Sequence, residues 1–420
     1  MTHAQAPIAA AILTALALGA TPLQAAEPEV LALRAARIYT APDAAPIADG
    51  VVIVRGATIE AVGPARDGGA SVPSIDTACD GGVVVAGFQN SHVHLLGPAF
   101  EDARTRPAAD LERGLDAMLT RWGFTTAVDI ASDRDNTLAL RARIDAVEVR
   151  GPRILTAGWP LFPHDGLPIY LDTLPPAFRA KLPQPATTAE ALAVVRANLD
   201  AGVEATKLFI AAPQGRRGIR RMDPAIAAAA ADETHRRGRL VFAHPTDLDG
   251  VRAALDAGVD ILAHPPLGAP APWPQPLMDR VRAAGMAMIP TLKLLPHELA
   301  KENVPADVAR RIVDESVQEF GRFAAAGGTV LFGTDVDYMT DLDPTDEYAL
   351  MARAGMSPMQ ILAALTTAPA ARWNESGRRG RVAPGQDADL VVLDADPAQD
   401  ARRFAAVRCV VRGGRLAYTR

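Results

Sequence analysis

Short apolar runs alternate with helical stretches through the middle of the chain. Each run is followed by an Ala-rich stretch typical of a helix. The runs cover residues 83–93, 125–130, 154–157, 205–210, 240–243, 261–263, 286–292 and 329–332. About eight strands with intervening helices, over roughly 250 residues or more, are the pattern of a closed parallel barrel. We therefore predict an α/β fold with a (β/α)8 TIM barrel at residues 85–377, a doubly wound open sheet being the alternative.

Both ends of the chain have a different pattern, in which short β segments are separated by Gly and Pro. They lie at residues 36–39, 50–56 and 58–63 before the barrel, and at 388–393 and 407–414 after it. Two β-rich ends suggest one shared sheet domain. We predict a small composite β-sandwich domain formed by residues 27–84 and 378–420.

The first 26 residues have the features of an export signal. An uncharged apolar run at 7–18 is followed by small residues suited to signal peptidase, and the run is too short to span a bilayer permanently. No Lys or Arg precedes the run, so an Ala-rich leader without a signal function is the alternative. We predict a signal peptide at residues 1–26 and a secreted or periplasmic protein without a stable membrane anchor.

Composition and charge limit the classes of partner. With 49% apolar and 22% charged residues, the 420-residue chain can bury a large core. The formal net charge is -6 and the basic residues are interspersed with acidic ones, so no basic surface is available for nucleic acid. We expect a small-molecule substrate, and a homo-oligomer stays open.

The two cysteines, Cys79 and Cys409, lie near opposite ends of the mature chain. They could form a single disulfide in an oxidising compartment or remain two free thiols, and only geometry decides between these states.

Six candidate metal ligands lie at or near the C-terminal ends of predicted strands, where side chains from several barrel strands converge. They are His92, His94, Lys207, His244, His264 and Asp335. His92 and His94 share one side of a strand, because side chains alternate with a period of two. Imidazoles in this position suit a metal ion, and a carboxylate at Asp335 could also accept a proton from water.

Lys207 is unusual because it lies within an apolar strand, where an unpaired ammonium is costly. A neutral amine can take up carbon dioxide and become a carbamate whose oxygens bridge two metal ions. Lys207 could instead stay an ammonium beside a single metal ion.

Together these residues resemble the binuclear pattern of the amidohydrolase superfamily. Residues 85–94 are similar to its strand-one motif and residues 381–391 to its closing β motif, so the resemblance covers nearly the whole mature chain. The lysine and the His244–His264 spacing look most like the imidazolonepropionase-like and Xaa-Pro dipeptidase (prolidase) group. Gln89-Asn90 and the prolines after the two histidines, Pro245 and Pro265, depart from the family pattern.

The resemblance implies two divalent metal ions, with Zn as the default. His92 and His94 would hold one ion and His244 and His264 the other, with a carboxylated Lys207 bridging. Asp335 would ligate the first ion and shuttle protons. The implied reaction is hydrolysis of a C–N amide bond in a dipeptide, N-acyl amino acid or cyclic amide by a metal-bridging hydroxide.

Substrate contacts are predicted on the loops around this set. His164 follows the third strand, where the resembling group has a substrate-contacting histidine, and Tyr338 follows Asp335 closely. His297 could reach the pocket from its loop, whereas His235 in a polar helix is predicted to be structural. A basic loop could clamp a substrate carboxylate or be merely solvated. Its arginines are Arg216, Arg217, Arg220 and Arg221.

Three alternatives stay open at this point. One is a mononuclear deaminase that binds metal through His92, His94, His244 and Asp335. Another is a binuclear esterase, lactonase or phosphotriesterase, because the fold does not choose the electrophile. The third is a binding or scaffold protein that has lost the chemistry.

Overall fold

The computed structural model describes residues 1–2, 29–67, 72–266 and 269–420, so the predicted signal peptide lies outside the described residues except for its first two. The strands are β1 Val30–Ile38, β2 Ile47–Arg55, β3 Thr58–Pro64, β4 Gly82–Ala86, β5 Phe88–Val93, β6 Phe124–Asp129, β7 Arg153–Thr156, β8 Ala205–Phe209, β9 Ala211–Pro213, β10 Ile219–Arg221, β11 Leu240–His244, β12 Ile261–Ala263, β13 Ala287–Ile289, β14 Leu390–Leu393, β15 Val407–Arg412 and β16 Arg415–Thr419. The helices are α1 Ala108–Met118, α2 Arg134–Asp145, α3 Pro176–Arg179, α4 Thr188–Asp200, α5 Pro224–Arg236, α6 Leu248–Asp256, α7 Gln275–Ala283, α8 Leu294–Lys301, α9 Ala306–Ala325, α10 Thr345–Arg353, α11 Pro358–Leu365 and α12 Thr367–Arg372.

Two parallel sheets form the middle of the chain. One has the order β5-β6-β7 and the other β13-β12-β11-β8. Helices follow most of these strands, as expected for parallel strands that need crossover connections. The α/β class predicted from the alternating pattern is therefore confirmed.

Backbone hydrogen bonds connect the two sheets on both sides. After β7, Leu161 N donates to Lys207 O at 2.9 Å, and Phe209 N donates to Leu161 O at 2.8 Å. On the other side, residues 329–336 lie between β13 and β5, where Leu331 N donates to Met288 O at 3.1 Å. Ser91 N of β5 donates to the carbonyl of Phe332 at 2.7 Å. These bonds connect the edges of the two sheets near the strand ends that carry the candidate ligands.

A buried apolar cluster lies between the strands of both sheets. Its members are Val128, Ile130, Leu155, Ala157, Ala205, Phe242, Ile261, Ala263, Ala287, Ile289 and Leu331. Burying a large apolar side chain of this kind stabilises a fold by roughly 1.5–3 kcal/mol relative to exposing it. The cluster keeps the strands in fixed positions beneath the polar strand ends.

Both ends of the chain contribute to one seven-stranded mixed sheet with the order β16-β15-β14-β4-β1-β2-β3. Strand β4 pairs with β1 in parallel and with β14 in antiparallel orientation.

Cys79 and Cys409 form a disulfide, so the bonded state is the one that the structure adopts. The bond joins the turn before β4 to β15, across 330 positions of the sequence. Among the described residues, no helix has the length and apolar character needed to cross a membrane.

Candidate metal centre

Five of the six predicted ligands lie in or directly after parallel strands of the two sheets, and the sixth lies in segment 329–336 between them. His92 lies in β5, Lys207 in β8 and His244 at the end of β11. His94 and His264 come directly after β5 and β12. Asp335 lies in the segment 329–336, where its backbone N donates to the His92 carbonyl at 2.9 Å.

The Asp335 carboxylate lies among the imidazoles. Its Oδ1 atom is 3.1 Å from His92 Nε2 and 2.8 Å from His94 Nε2, and its Oδ2 atom is 3.8 Å from His264 Nε2. The His264 ring centroid is 4.7 Å from that of His92 and 4.9 Å from that of His244. The structure therefore brings the four predicted histidines together around one carboxylate.

Buried polar atoms without partners indicate that this group of side chains fits a metal ion. Among the described residues, His92 Nδ1 and Asp335 Oδ1 are buried and make no hydrogen bond of good geometry, although His94 Nε2 is only 2.8 Å from Oδ1. Leaving such atoms unsatisfied is costly. His92, His264 and Asp335 each offer a ligand atom within 4.8 Å of the others, and imidazole with carboxylate suits a divalent transition metal.

Burial lowers the pKa of two of the histidines far below the ordinary value. It lowers the pKa of His92 to about 4 and that of His244 to about 3, even though the Asp335 charge opposes the shift. Burial alone would raise the pKa of Asp335, but the charges of His92 and His94 and the close contacts of their Nε2 atoms outweigh it and hold this pKa well below its usual range. His92 and His244 are thus neutral imidazoles near pH 7 and Asp335 is an ionised carboxylate, the forms that bind metal. At His94 burial also lowers the pKa, but the hydrogen bond and the charge of Asp335 outweigh it and raise this pKa above its ordinary value.

Lys207 is 1% exposed, and burial lowers its pKa to about 7 against the opposing charge of Asp335. Its Nζ atom lies 5.1 Å from the centroid of the Phe209 ring, and within the described part of the chain it makes no hydrogen bond or ion pair. Burial therefore favours the neutral form of this amine.

Backbone and side-chain oxygens orient two of the histidines. His94 Nδ1 lies 3.0 Å from Ala131 O, and His264 Nδ1 lies 2.6 Å from Thr291 Oγ1. A proton on each Nδ1 leaves Nε2 free to face Asp335, which is how metal-binding histidines are usually oriented. Thr291 was not among the sequence predictions, because it follows a strand whose end carries no residue typical of a ligand.

The backbone around the centre is unusual at two of its ligands. His264 has φ 99° and Asp335 has φ 57°, and such left-handed conformations of residues other than Gly cluster at functional sites. Asp337 has φ 76°, and its Oδ2 atom accepts from Leu96 N at 2.7 Å and from Gly97 N at 2.6 Å. Asp337 thus ties the loop after His94 to the loop of Asp335, a role that its position in the sequence did not reveal.

Tyr338 is half-buried close to the centre. Its hydroxyl donates to Glu298 Oε1 at 2.9 Å and accepts from Lys301 Nζ at 2.9 Å. The Tyr170 ring lies 5.4 Å from the Tyr338 ring, and the His297 ring lies 6.4 Å from it. Sequence reasoning missed Tyr170, Glu298 and Lys301, which come from other loops and from α8.

His164 does not join the cluster of ligands in any described contact. Its side chain is 50% exposed, and its Nδ1 atom lies 3.3 Å from Gln184 O. His235 pairs with Asp260 Oδ2 at 2.8 Å on the outside of β11, which agrees with a structural role. These two histidines therefore contribute nothing to the geometry of the centre itself.

The basic loop forms a hairpin of β9 and β10, and most of its arginines have protein partners. Arg221 binds Asp247 with two hydrogen bonds of 3.0 and 2.7 Å. Arg220 Nε donates to the His164 carbonyl at 3.0 Å, and Arg217 donates to a glutamine in the hairpin at 3.3 Å. These arginines hold the loops together, which leaves Arg216 as the candidate clamp for a carboxylate.

The sequence profile of the amidohydrolase family matches residues 83–417, which include all six candidate ligands. The chain belongs to the amidohydrolase family. Its predicted membership and its assignment as an amidohydrolase-type enzyme are thereby confirmed.

Individual relatives agree with this family. Ochratoxinase from Aspergillus niger is 26% identical over 194 residues, a match that covers 44% of this chain and 39% of that protein. Among solved structures, a Xaa-Pro dipeptidase with bound methionine superposes with a TM-score of 0.78 at 19% identity, covering 93% of this chain and all 100% of the other. The A. niger ochratoxinase structure gives a TM-score of 0.73 at 21% identity, with 92% and 96% coverage. These amidohydrolases share the fold of the chain over almost its whole length.

Proposed function

We propose that this protein is a metal-dependent hydrolase that cleaves a C–N amide bond in a dipeptide, an N-acyl amino acid or a cyclic amide. The observation that carries the proposal is the convergence of His92, His94 and His264 on the buried Asp335 carboxylate. Membership of the amidohydrolase family supports the class of reaction, as does similarity to a protein named ochratoxinase.

Two divalent ions, by default Zn, are proposed to bind here. His92, His94 and Asp335 would hold one ion, and His244 and His264 would hold the other. When bound, such ions act as Lewis acids that polarise a carbonyl group and make water a better nucleophile. The buried, neutral imidazoles of His92 and His244 and the unsatisfied His92 Nδ1 atom support this assignment.

Lys207 is proposed to contribute as a carbamate between the two sets of ligands. Its neutral amine would form an N–C bond with carbon dioxide and release one proton. The low pKa caused by burial and the absence of a described ion pair for Nζ support this reaction, because a paired ammonium would not react.

Asp335 is proposed to carry the proton during hydrolysis. Its carboxylate would accept the proton from the attacking water and give it to the leaving nitrogen as the C–N bond breaks, so that an amide and water become an acid and an amine. Its 4% exposure and its ionised state suit this role. Tyr338 and His164 are proposed as substrate contacts on the loops above.

For the molecule as a whole, we propose that both parallel sheets and segment 329–336 form the predicted (β/α)8 barrel, at residues 85–377. Residues 27–84 and 378–420 would form the composite domain, and residues 1–26 a signal peptide of a secreted or periplasmic protein. The shared seven-stranded sheet supports the composite domain, and the Cys79–Cys409 disulfide supports an oxidising compartment.

Metal content and hydrolysis, measured on the same samples, test the proposed function. Wild type, Lys207→Ala and Lys181→Ala are purified with bicarbonate, and Lys181 serves as an exposed control. Mass spectrometry should find about two ions per chain in wild type and in the control, as binuclear hydrolases require. Both metal and turnover of a dipeptide and N-acyl amino acid panel should fall in Lys207→Ala.

Other outcomes distinguish the alternatives. About one ion per chain, insensitive to Lys207, would contradict the bridging role and favour a mononuclear deaminase. Turnover of esters, lactones or phosphotriesters, with amides left intact, would favour the second class of binuclear hydrolase. A protein that binds small molecules but contains no metal and hydrolyses none of these compounds would indicate a binding protein.

A further inference from the structure

A group of aromatic side chains extends from the candidate metal centre to the loops above it. The group consists of the buried Phe209 and Phe162 and the half-buried Tyr170 and Tyr338, and we call it the aromatic wall. Phe209 stacks on the His244 imidazole with 5.2 Å between ring centroids, and Phe162 stacks on Phe209 at 4.4 Å. The wall thus starts in contact with a proposed ligand.

The outer part of the wall consists of two tyrosines. Tyr170 packs against the buried cluster that contains Phe162 and Phe209, and its ring lies 5.4 Å from that of Tyr338. Burial raises the pKa of both phenols, and the charges around them, that of Asp335 included, raise it further. Tyr338 follows Asp335 by three positions of the chain, so the tyrosine pair lies beside the loop that carries this proposed ligand. Both tyrosines are half-buried and keep part of their surface accessible.

The two tyrosine rings meet at an angle of 66° and form a corner. Glu298 and Lys301 hold the Tyr338 hydroxyl from the far side, and they also pair with each other at 2.9 Å. The Tyr170 hydroxyl has no hydrogen-bond partner among the residues that the structure describes. The Tyr338 side of the corner is therefore held in place by hydrogen bonds, and the charges of Glu298 and Lys301 beside it neutralise each other.

We propose that this corner binds an aromatic ring of the substrate. A third ring placed there stacks on one tyrosine and lies edge-on to the other, the two arrangements that aromatic pairs prefer. An aliphatic chain of similar size would be stabilised there only by burial of its apolar surface, without the additional ring–ring interaction. The inference relies on the proposed function for the position of the substrate, and it adds the class of group that the substrate carries.

Binding of two hydrolysis-resistant acids tests this proposal on the metal-loaded protein. Benzylphosphonic acid and n-hexylphosphonic acid offer the same phosphonate with an aromatic or an aliphatic group. Isothermal titration should give a tighter Kd for benzylphosphonic acid, by about two- to tenfold from the aromatic contacts. The ratio of the two Kd values is measured for wild type, Tyr170→Leu, Tyr170→Phe and Tyr418→Leu.

The variants separate aromaticity from other effects. Tyr170→Leu should remove most of the ratio and Tyr170→Phe should keep it, while Tyr418→Leu, the same change in β16, should match wild type. The proposal would be overturned if wild type bound both acids with equal Kd values or did not bind benzylphosphonic acid. It would also be overturned if the ratio of Kd values were unchanged in Tyr170→Leu or lost in Tyr170→Phe. If no amide is hydrolysed but the ratio behaves as expected, the proposed reaction is wrong and the aromatic site stands.

Discussion

Single side chains at the candidate centre are prepared for ligands by their surroundings. Burial keeps His92 and His244 neutral, while neighbouring imidazoles keep Asp335 ionised. Thr291 and the Ala131 carbonyl set the direction in which two imidazoles point. The proposed affinity for metal would therefore depend also on residues outside the set of ligands.

Replacing the central carboxylate should separate chemistry from folding. In Asp335→Asn we expect kcat to fall about 10²- to 10⁴-fold, because the amide cannot accept the proton from water. Steady-state kinetics on the best amide of the panel measures the change. Asp256→Asn is the matched control, because Asp256 forms an exposed ion pair with Arg280. A kcat of Asp335→Asn within about threefold of wild type would exclude the proposed proton transfer.

Thr291 offers a test of how His264 is oriented. Thr291→Val removes the hydroxyl 2.6 Å from His264 Nδ1, and we expect metal affinity to fall about 10- to 100-fold. Competition with a chelator measures this change. The exposed Thr105→Val serves as control, and unchanged affinity in Thr291→Val would show that packing alone orients the ring.

The centre was predictable where chemistry and strand position coincide. His92, His244 and Asp335 stand out because each ends an apolar run, and Lys207 stands out because charge is unusual within one. Tyr170 was not predicted, because its position depends on the packing of loops that are distant in the sequence and have no hydrophobic periodicity. His164 shows the opposite error of sequence reasoning: it lies on a loop that was expected to contact the substrate, but it makes no described contact with the centre.

Among the elements, α8 has the clearest influence on the site, because it carries Glu298 and Lys301. Glu347 accepts from Leu292 N at 2.9 Å and from Lys293 N at 2.8 Å, just before this helix begins. The carboxylate is fully buried, so it connects α10 to the start of α8. The position of Tyr338 thus depends indirectly on this buried acid.

Glu347 should make stability depend on pH. Burial raises its pKa from 4.5 to about 7, against the backbone hydrogen bonds that lower it. The folded state then binds more protons than the unfolded state between these values, so stability present below pH 4.5 is lost as the pH rises through about 7. The loss is about 3 kcal/mol at most.

Urea unfolding of wild type and Glu347→Gln at pH 5 and pH 8 measures this effect. Glu347→Gln keeps one acceptor and has no charge, so its stability relative to wild type should improve at the higher pH. The control is Glu302→Gln, which makes the same change at an exposed position. A difference that does not vary with pH would show that Glu347 is ionised in both states.

Elements were predictable to different degrees. The buried strands β8 and β11 follow from apolar runs that begin and end close to the observed bounds. The hairpin of β9 and β10 was not predicted, because the exposed Ile219–Arg221 strand has neither an apolar face nor alternation. Its pairing with β9 depends on the neighbouring loops instead.

For the molecule as a whole, the disulfide is a covalent constraint that joins the two chain ends. Reducing the Cys79–Cys409 bond should lower the free energy of unfolding by about 2–5 kcal/mol, because the unfolded chain regains the freedom of a very long loop. Urea unfolding with and without reductant measures the loss. The Cys79→Ala/Cys409→Ala double variant should be as unstable as reduced wild type and insensitive to reductant. Equal stability of the oxidised and reduced wild type would contradict this account.

The place of β4 in its sheet has a consequence for biosynthesis. One edge of β4 pairs with β1, which is made earlier, but the other edge pairs with β14, which begins only at Leu390. A nascent chain that has not reached Leu390 therefore exposes an unpaired strand of five apolar or small residues, Gly82–Ala86, to other chains. Until the ribosome has made almost the whole polypeptide, this strand edge stays open to pairing with other chains.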